Sequence, residues 1–91
     1  MRISTEKKEK IYEHILAFLY SNFPKSLFTF NIAQELAIDE EYIKKLLLEL
    51  KKKTLVIEIN KNSQGILYKR RSRWSLSQKA YEIYKQNQFS N

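Results

Sequence analysis

The chain has no cysteine and only one glycine, one proline, one histidine and one aspartate in 91 residues. Without cysteine it can build neither a disulfide framework nor a thiolate metal site. That suits an intracellular, cytoplasmic protein. A single glycine cannot supply a glycine-rich phosphate loop, and one glycine with one proline argue against a long flexible linker. Asp39 is the sole aspartate and reads as a helix cap, and His14 sits among polar positions and reads as a surface residue. No paired carboxylates and no nucleophile–base arrangement remain. The expectation is therefore no enzyme, no metal and no cofactor. The longest apolar run, ILAFLY at residues 15–20, is far short of the roughly 20 residues that cross a bilayer. The opening MRISTEKKEK mixes both charge signs and does not read as a secretory signal.

What is present is charge, unevenly placed. Residues 1–50 carry 7 Lys/Arg and 8 Asp/Glu, while residues 51–91 carry 10 and 2, so the whole net charge of +7 comes from the second part. A skew of this kind suits a polyanionic partner, although a basic and merely soluble protein would share it. Apolar residues are 43% of the chain and aromatics 13%, enough for one core, and the length predicts one domain over 1–91.

Periodicity places the elements. Residues 5–21 read as a helix that Ser4 or Thr5 can cap, with apolar residues at Ile11, Tyr12, Ile15, Leu16, Phe18, Leu19 and Tyr20. At 100° per residue they sweep roughly 200° of the surface, wider than one contact needs. Either a second element or another subunit must cover the excess. SLFTF at 26–30 is β-prone. A short helix at 31–37, a tight turn and a longer helix at 40–53 follow, the last capped by Asp39 with Glu40 and Glu41 at its positive end. Ile43, Leu46, Leu47 and Leu50 share one face of that helix. Glu41, Lys45, Leu48 and Lys52 share the opposite face, with Tyr42, Lys44 and Glu49 on the flanks. Two strand-like runs at 55–59 and 66–76 flank the turn NKNSQG and read as a hairpin. Ser77 caps a final helix to about residue 88, with Ala80, Ile83 and Tyr84 on its apolar side and Tyr81 at the margin. The order helix, short strand, helix, helix, hairpin, helix is α+β, mainly α, and predicts a helix-turn-helix with a β-wing.

The stretch IAQELAIDEEYIKKLLLELKKKTLV resembles the winged helix-turn-helix pattern of small transcription regulators, archaeal and archaeal-viral ones included. WSLSQKAYEIY resembles the segment that follows their wing. The resemblance covers roughly residues 30–84. It implies Ala33, Leu36, Ile38, Ile43, Leu47 and Leu50 as buried positions. It also implies that the 40–53 helix enters the major groove of DNA and that the wing touches backbone or minor groove. The family often has glycine where this chain has Ala37 and Thr54. Positive φ disfavours both residues by roughly 1 kcal/mol, so these turns are expected to be built differently or the helix ends to shift.

The densest charge, Lys69, Arg70, Arg71 and Arg73, abuts the only tryptophan. Strand alternation explains the pairing. If Trp74 and Leu76 face the core, then Lys69, Arg71 and Arg73 line the outer face at a spacing of about 6–7 Å, close to that of successive phosphates. Arg70 falls on the inner face, nearer the wing tip. Protection of a strand edge would need only one or two such charges. The candidate DNA contacts are thus Lys61, Lys69, Arg70, Arg71 and Arg73 on the wing and Tyr42, Lys44, Lys45, Leu48, Lys51 and Lys52 on the helix. Tyr12, Phe18, Tyr20, Tyr81, Tyr84 and Phe89 form an aromatic set on the outer helices, which suits either a core or a homodimer interface. A two-fold dimer would present two recognition helices about 34 Å apart. The expected partners are double-stranded DNA and a second copy, with no membrane. The rivals are a winged-helix protein-interaction or scaffold module of a transcription or replication complex, and an RNA-binding domain.

Overall fold

The computed structural model describes residues 4–60 and 72–89, apart from the side chains of 88 and 89. Its elements are α1 (Thr5–Asn22), β1 (Leu27–Phe28), α2 (Thr29–Leu36), α3 (Glu40–Lys52), β2 (Val56–Ile59), β3 (Arg73–Leu76) and α4 (Gln78–Phe89). The strands form one antiparallel sheet in the order β1-β3-β2. The expected strand segment 66–71 and most of the expected turn, from residue 61, lie outside the described residues.

Three helices start at the caps the sequence offers. Ser4 Oγ accepts from Lys7 N–H, Asp39 Oδ2 from Tyr42 N–H and Ser77 Oγ from Ala80 N–H, each at 3.1–3.2 Å. One boundary differs from expectation. The β-prone run at 26–30 gives only a two-residue strand, and α2 begins at Thr29 rather than residue 31. Two side-chain bonds favour the earlier start. Asn31 Oδ1 accepts from Phe28 N–H at 3.1 Å, and Thr29 Oγ1 accepts from Trp74 Nε1–H at 2.8 Å.

The turns at Ala37 and Thr54 are not rebuilt around the missing glycines. Ala37 has φ 57° and Thr54 φ 61°, both left-handed. Each closes a helix by the same pair of bonds. Ile38 N–H reaches Ala33 O and Ala37 N–H reaches Gln34 O; Leu55 N–H reaches Leu50 O and Thr54 N–H reaches Lys51 O. These are Schellman closures, and they satisfy carbonyls that the helix ends would otherwise leave bare.

The core joins all these elements. Ile15 and Leu19 of α1, Ile32 of α2, Ile43, Leu46, Leu47 and Leu50 of α3, and Trp74 of β3 are wholly buried, with Val56, Leu76 and Ala80 nearly so. Of the positions implied by the resemblance, Ala33, Ile43, Leu47 and Leu50 are buried, while Leu36 and Ile38 are half-buried against them. The broad stripe on α1 finds cover within the chain. Tyr12 meets α3, and Tyr20 meets α4, with ring centroids 5.5 Å from Tyr81 and 5.4 Å from Tyr84. The inner side of α4 is thus Ala80, Tyr81 and Tyr84. Ile83, expected on that side, is 45% exposed, because it lies on the far side of Ala80 from the two tyrosines.

Candidate nucleic-acid interface

The helix-turn-helix is α2, the turn at Ala37–Asp39 and α3. Burying Ile43, Leu46, Leu47 and Leu50 forces the opposite side of α3 outward, since side chains follow the 3.6-residue period. That side presents Lys44, Lys45, Leu48 and Lys52, with Glu40 and Glu41 at its start. Leu48 is 40% exposed. Lys44, Lys45 and Lys52 form no ion pair among the described residues. Tyr42 is only half-buried but packs on the core, so its ring is partly engaged.

A carboxylate lies on either flank of this strip, and each holds cations of its own chain. On one flank Glu49 accepts the Tyr12 hydroxyl of α1 and pairs with Lys8 Nζ at 2.9 Å. Lys53 Nζ stands 4.9 Å from the centre of the Tyr12 ring. The Tyr12 hydroxyl, and then Lys8, hold the Glu49 carboxyl below its ordinary range. Burial, then the hydrogen bond to Glu49, push the Tyr12 phenol up. On the other flank Glu58 of β2 takes Lys51 Nζ on Oε1 at 2.9 Å and the Ser72 hydroxyl on Oε2. The Ser72 bond first, then Lys51, hold the Glu58 carboxyl below its ordinary range. Lys51, an expected DNA contact, pairs with Glu58, whose strand the α3 end abuts.

Strand faces follow the alternation. Trp74 lies opposite Leu27 on one side and Glu58 on the other, and Leu76 opposite Val56; all but Glu58 are buried. Arg73 therefore takes the outer face. It is half-buried, its guanidinium 4.9 Å from the Phe28 ring centre, directly across the β1–β3 pair. Ser75, on the same side, is buried as well. Lys61, Lys69, Arg70 and Arg71 lie outside the described residues, so the row of cations is placed only at Arg73.

The aromatic set is largely consumed inside the chain. Tyr12, Tyr20, Tyr81 and Tyr84 make the contacts above, Phe23 stacks on Tyr81 at 4.1 Å, and Phe18 is half-buried against the core. The side chain of Phe89 lies outside the described residues. Phe23 had no place in the expected set; its position just before Pro24 was the only signal for it. Phe18 also lines an open groove of about 790 Å³ with Leu27, Phe28, Phe30, Lys25 and Arg73. His14 is exposed on α1. Among the described residues no helix is long and apolar enough to cross a membrane.

No family model and no curated protein matches the sequence. Among solved structures the chain is similar to MepR of Staphylococcus aureus in complex with DNA, at a TM-score of 0.69 and 22% identity over 94% of this chain and 62% of that one. It is similar also to MepR described as a transcription regulator of the S. aureus multidrug efflux pump MepA, with a TM-score of 0.66 and 23% identity over 92% of this chain and 54% of that one. A mutant of Lactococcus lactis ZitR in apo form gives 0.63 and 21%, over 93% of this chain and 61% of that one. The chain thus spans between about half and three-fifths of the length of these proteins. Their sources lend no support to the archaeal or viral origin suggested by the sequence resemblance. At this identity the likeness establishes the fold, α+β and winged helix.

Proposed function

We propose that the chain binds double-stranded DNA and regulates transcription, with α3 in the major groove and the basic wing on the phosphate backbone. The observation that carries this reading is the outward strip Lys44, Lys45, Leu48 and Lys52 on the second helix of a helix-turn-helix. Its cations are unpaired among the described residues, while the flanking acids are already occupied. Similarity to MepR, solved with DNA, supports the same reading. Lysines on such a strip reach phosphates or guanine edges, and Leu48 is placed to touch a thymine methyl.

The test is a salt titration of binding to a labelled duplex of mixed sequence. With six to eight phosphates neutralised, log K falls with log salt at a slope of about −5 to −7. Replacing Lys44 and Lys45 by Ala flattens it by about 2 per bound protomer. A slope near zero in the unmodified protein defeats the reading, and a stronger response to RNA redirects it.

Two further elements belong to the proposal. A two-fold dimer through α1 and α4 would set two copies of α3 one DNA turn apart. Among the described residues of α4, Ile83 is still 45% exposed after the tyrosines have packed and is available to serve it. Sedimentation at micromolar concentration tests this, and a monomer at all concentrations rejects it. The second reading, a protein-interaction module, is favoured by the groove that Phe18, Phe28 and Phe30 line with Lys25 and Arg73. It predicts that Lys44→Ala/Lys45→Ala leaves the working contact unchanged and that Phe30→Ala abolishes it.

A further inference from the structure

We infer that Glu58 is a positioning residue at the DNA interface, which withholds Lys51 from phosphate by binding it together with Ser72. The inference rests on the DNA-binding reading above. Glu58 is the sole acid between Glu49 and Glu82, in the most basic part of the chain. A carboxylate here opposes an approaching polyanion, so its presence calls for a reason. Its position supplies one. Facing Trp74 across the β2–β3 pair, its side chain lies on the inner face of the sheet and is only 17% exposed. Its two oxygens hold two different elements, Lys51 from the last turn of α3 and Ser72 at the entry to β3. Ser72 stands within the cationic run from Lys69 to Arg73. One side chain thus ties the end of the helix proposed to enter the groove to the start of β3, beside Arg73.

The pairing removes Lys51 from the set of phosphate contacts. A phosphate reaching for Lys51 competes with a carboxylate 2.9 Å away that is present at high effective concentration and already offsets the ammonium charge. Exposed ion pairs are weak, but this one shares a covered carboxylate with a second directed bond. Lys44, Lys45 and Lys52 are left as the cations of α3 that meet DNA.

Salt titrations on the same duplex test this with the intact chain and its Lys51→Ala, Glu58→Gln, Glu58→Gln/Lys51→Ala and Glu82→Gln forms. Lys51→Ala is expected to keep the slope of the unmodified protein. Glu58→Gln frees a cation and steepens the slope by about 0.9 per bound protomer, and adding Lys51→Ala restores it. Glu82→Gln, an equal change in net charge on the exposed side of α4, leaves the slope where it was. Flattening by Lys51→Ala alone overturns the inference, as does Glu58→Gln behaving like Glu82→Gln. Lys51 lies at a half-exposed helix end, so its variant decides the matter even if Glu58→Gln folds poorly. The absence of salt-dependent binding by the unmodified protein would remove the DNA-binding reading itself, a result distinct from either.

Discussion

On one flank of α3 Glu49 reaches back to α1; on the other, Lys51 reaches forward to Glu58 in the sheet. Both carboxylates sit beside lysines, and both are held below their ordinary range by a hydroxyl first and a lysine second. Their settings differ. The hydroxyl on Glu49 belongs to Tyr12, a residue of the helical core's margin, so that flank is bound up with folding. The hydroxyl on Glu58 belongs to Ser72 at the entry to β3, so that flank ties the end of α3 to the sheet. The same pair of chemical groups therefore joins α3 to α1 on one side and to the sheet on the other.

The contrast can be broken most forcefully at Trp74, which faces Glu58 across the strands and donates to Thr29. Trp74→Ala should remove about 3–5 kcal/mol in urea unfolding and with it the wing flank as a whole. A loss below about 1 kcal/mol would mean that the indole does not hold the sheet to α2. Next in size is Tyr12→Phe, expected to lower stability by about 1 kcal/mol, below the usual value for a bond to a charged group because Glu49 is partly exposed. It should leave duplex affinity unchanged; an equal loss in affinity would blur the two flanks into one. Smaller again, and opposite in sign, are Ala37→Gly and Thr54→Gly. Relief of the left-handed backbone should exceed the added entropy of the unfolded chain by about 0.5–1 kcal/mol each. A thermal melt showing both variants below the parent would count against strain at these turns.

The smallest effect is the response to acid. Glu49 and Glu58 have folded-state pKa values lowered from 4.5, so their contribution to stability is present above that value. It fades as the pH falls below about 4.5 and through the folded values. Glu49→Gln should flatten the acid limb of the stability curve. If the limb keeps its full depth in Glu49→Gln/Glu58→Gln, other carboxylates account for it.

Much of this was legible in the sequence because burial and periodicity coincide. The four apolar positions of α3 fixed its inner face and, by elimination, its outer strip. Asp39 and Ser77 marked helix starts through capping chemistry, and alternation about Trp74 placed Arg73 on the outer face. What could not be read were contacts between elements remote in the chain. Lys51 looked free because nothing local pairs with it; Glu58, seven residues on, meets it only once β2 folds back along α3. Tyr12 and Tyr20 looked available to a second subunit because the sequence does not reveal that α3 and α4 flank α1. α2 starts two residues before the expected position because side-chain bonds to Asn31 and Trp74, which form only in the folded chain, outweigh the β-propensity of SLFTF.

The indole that pins the wing is the chain's only tryptophan, wholly buried and with its N–H engaged by Thr29. Its ultraviolet emission is therefore a spectroscopic gauge built into the joint between sheet and α2. Opening of that joint shifts the spectrum to the red, whereas a ligand seated on the outward side of α3 leaves the chromophore in the same surroundings. Opening of the fold can thus be followed without attaching a dye to the protein, and told apart from occupation of α3.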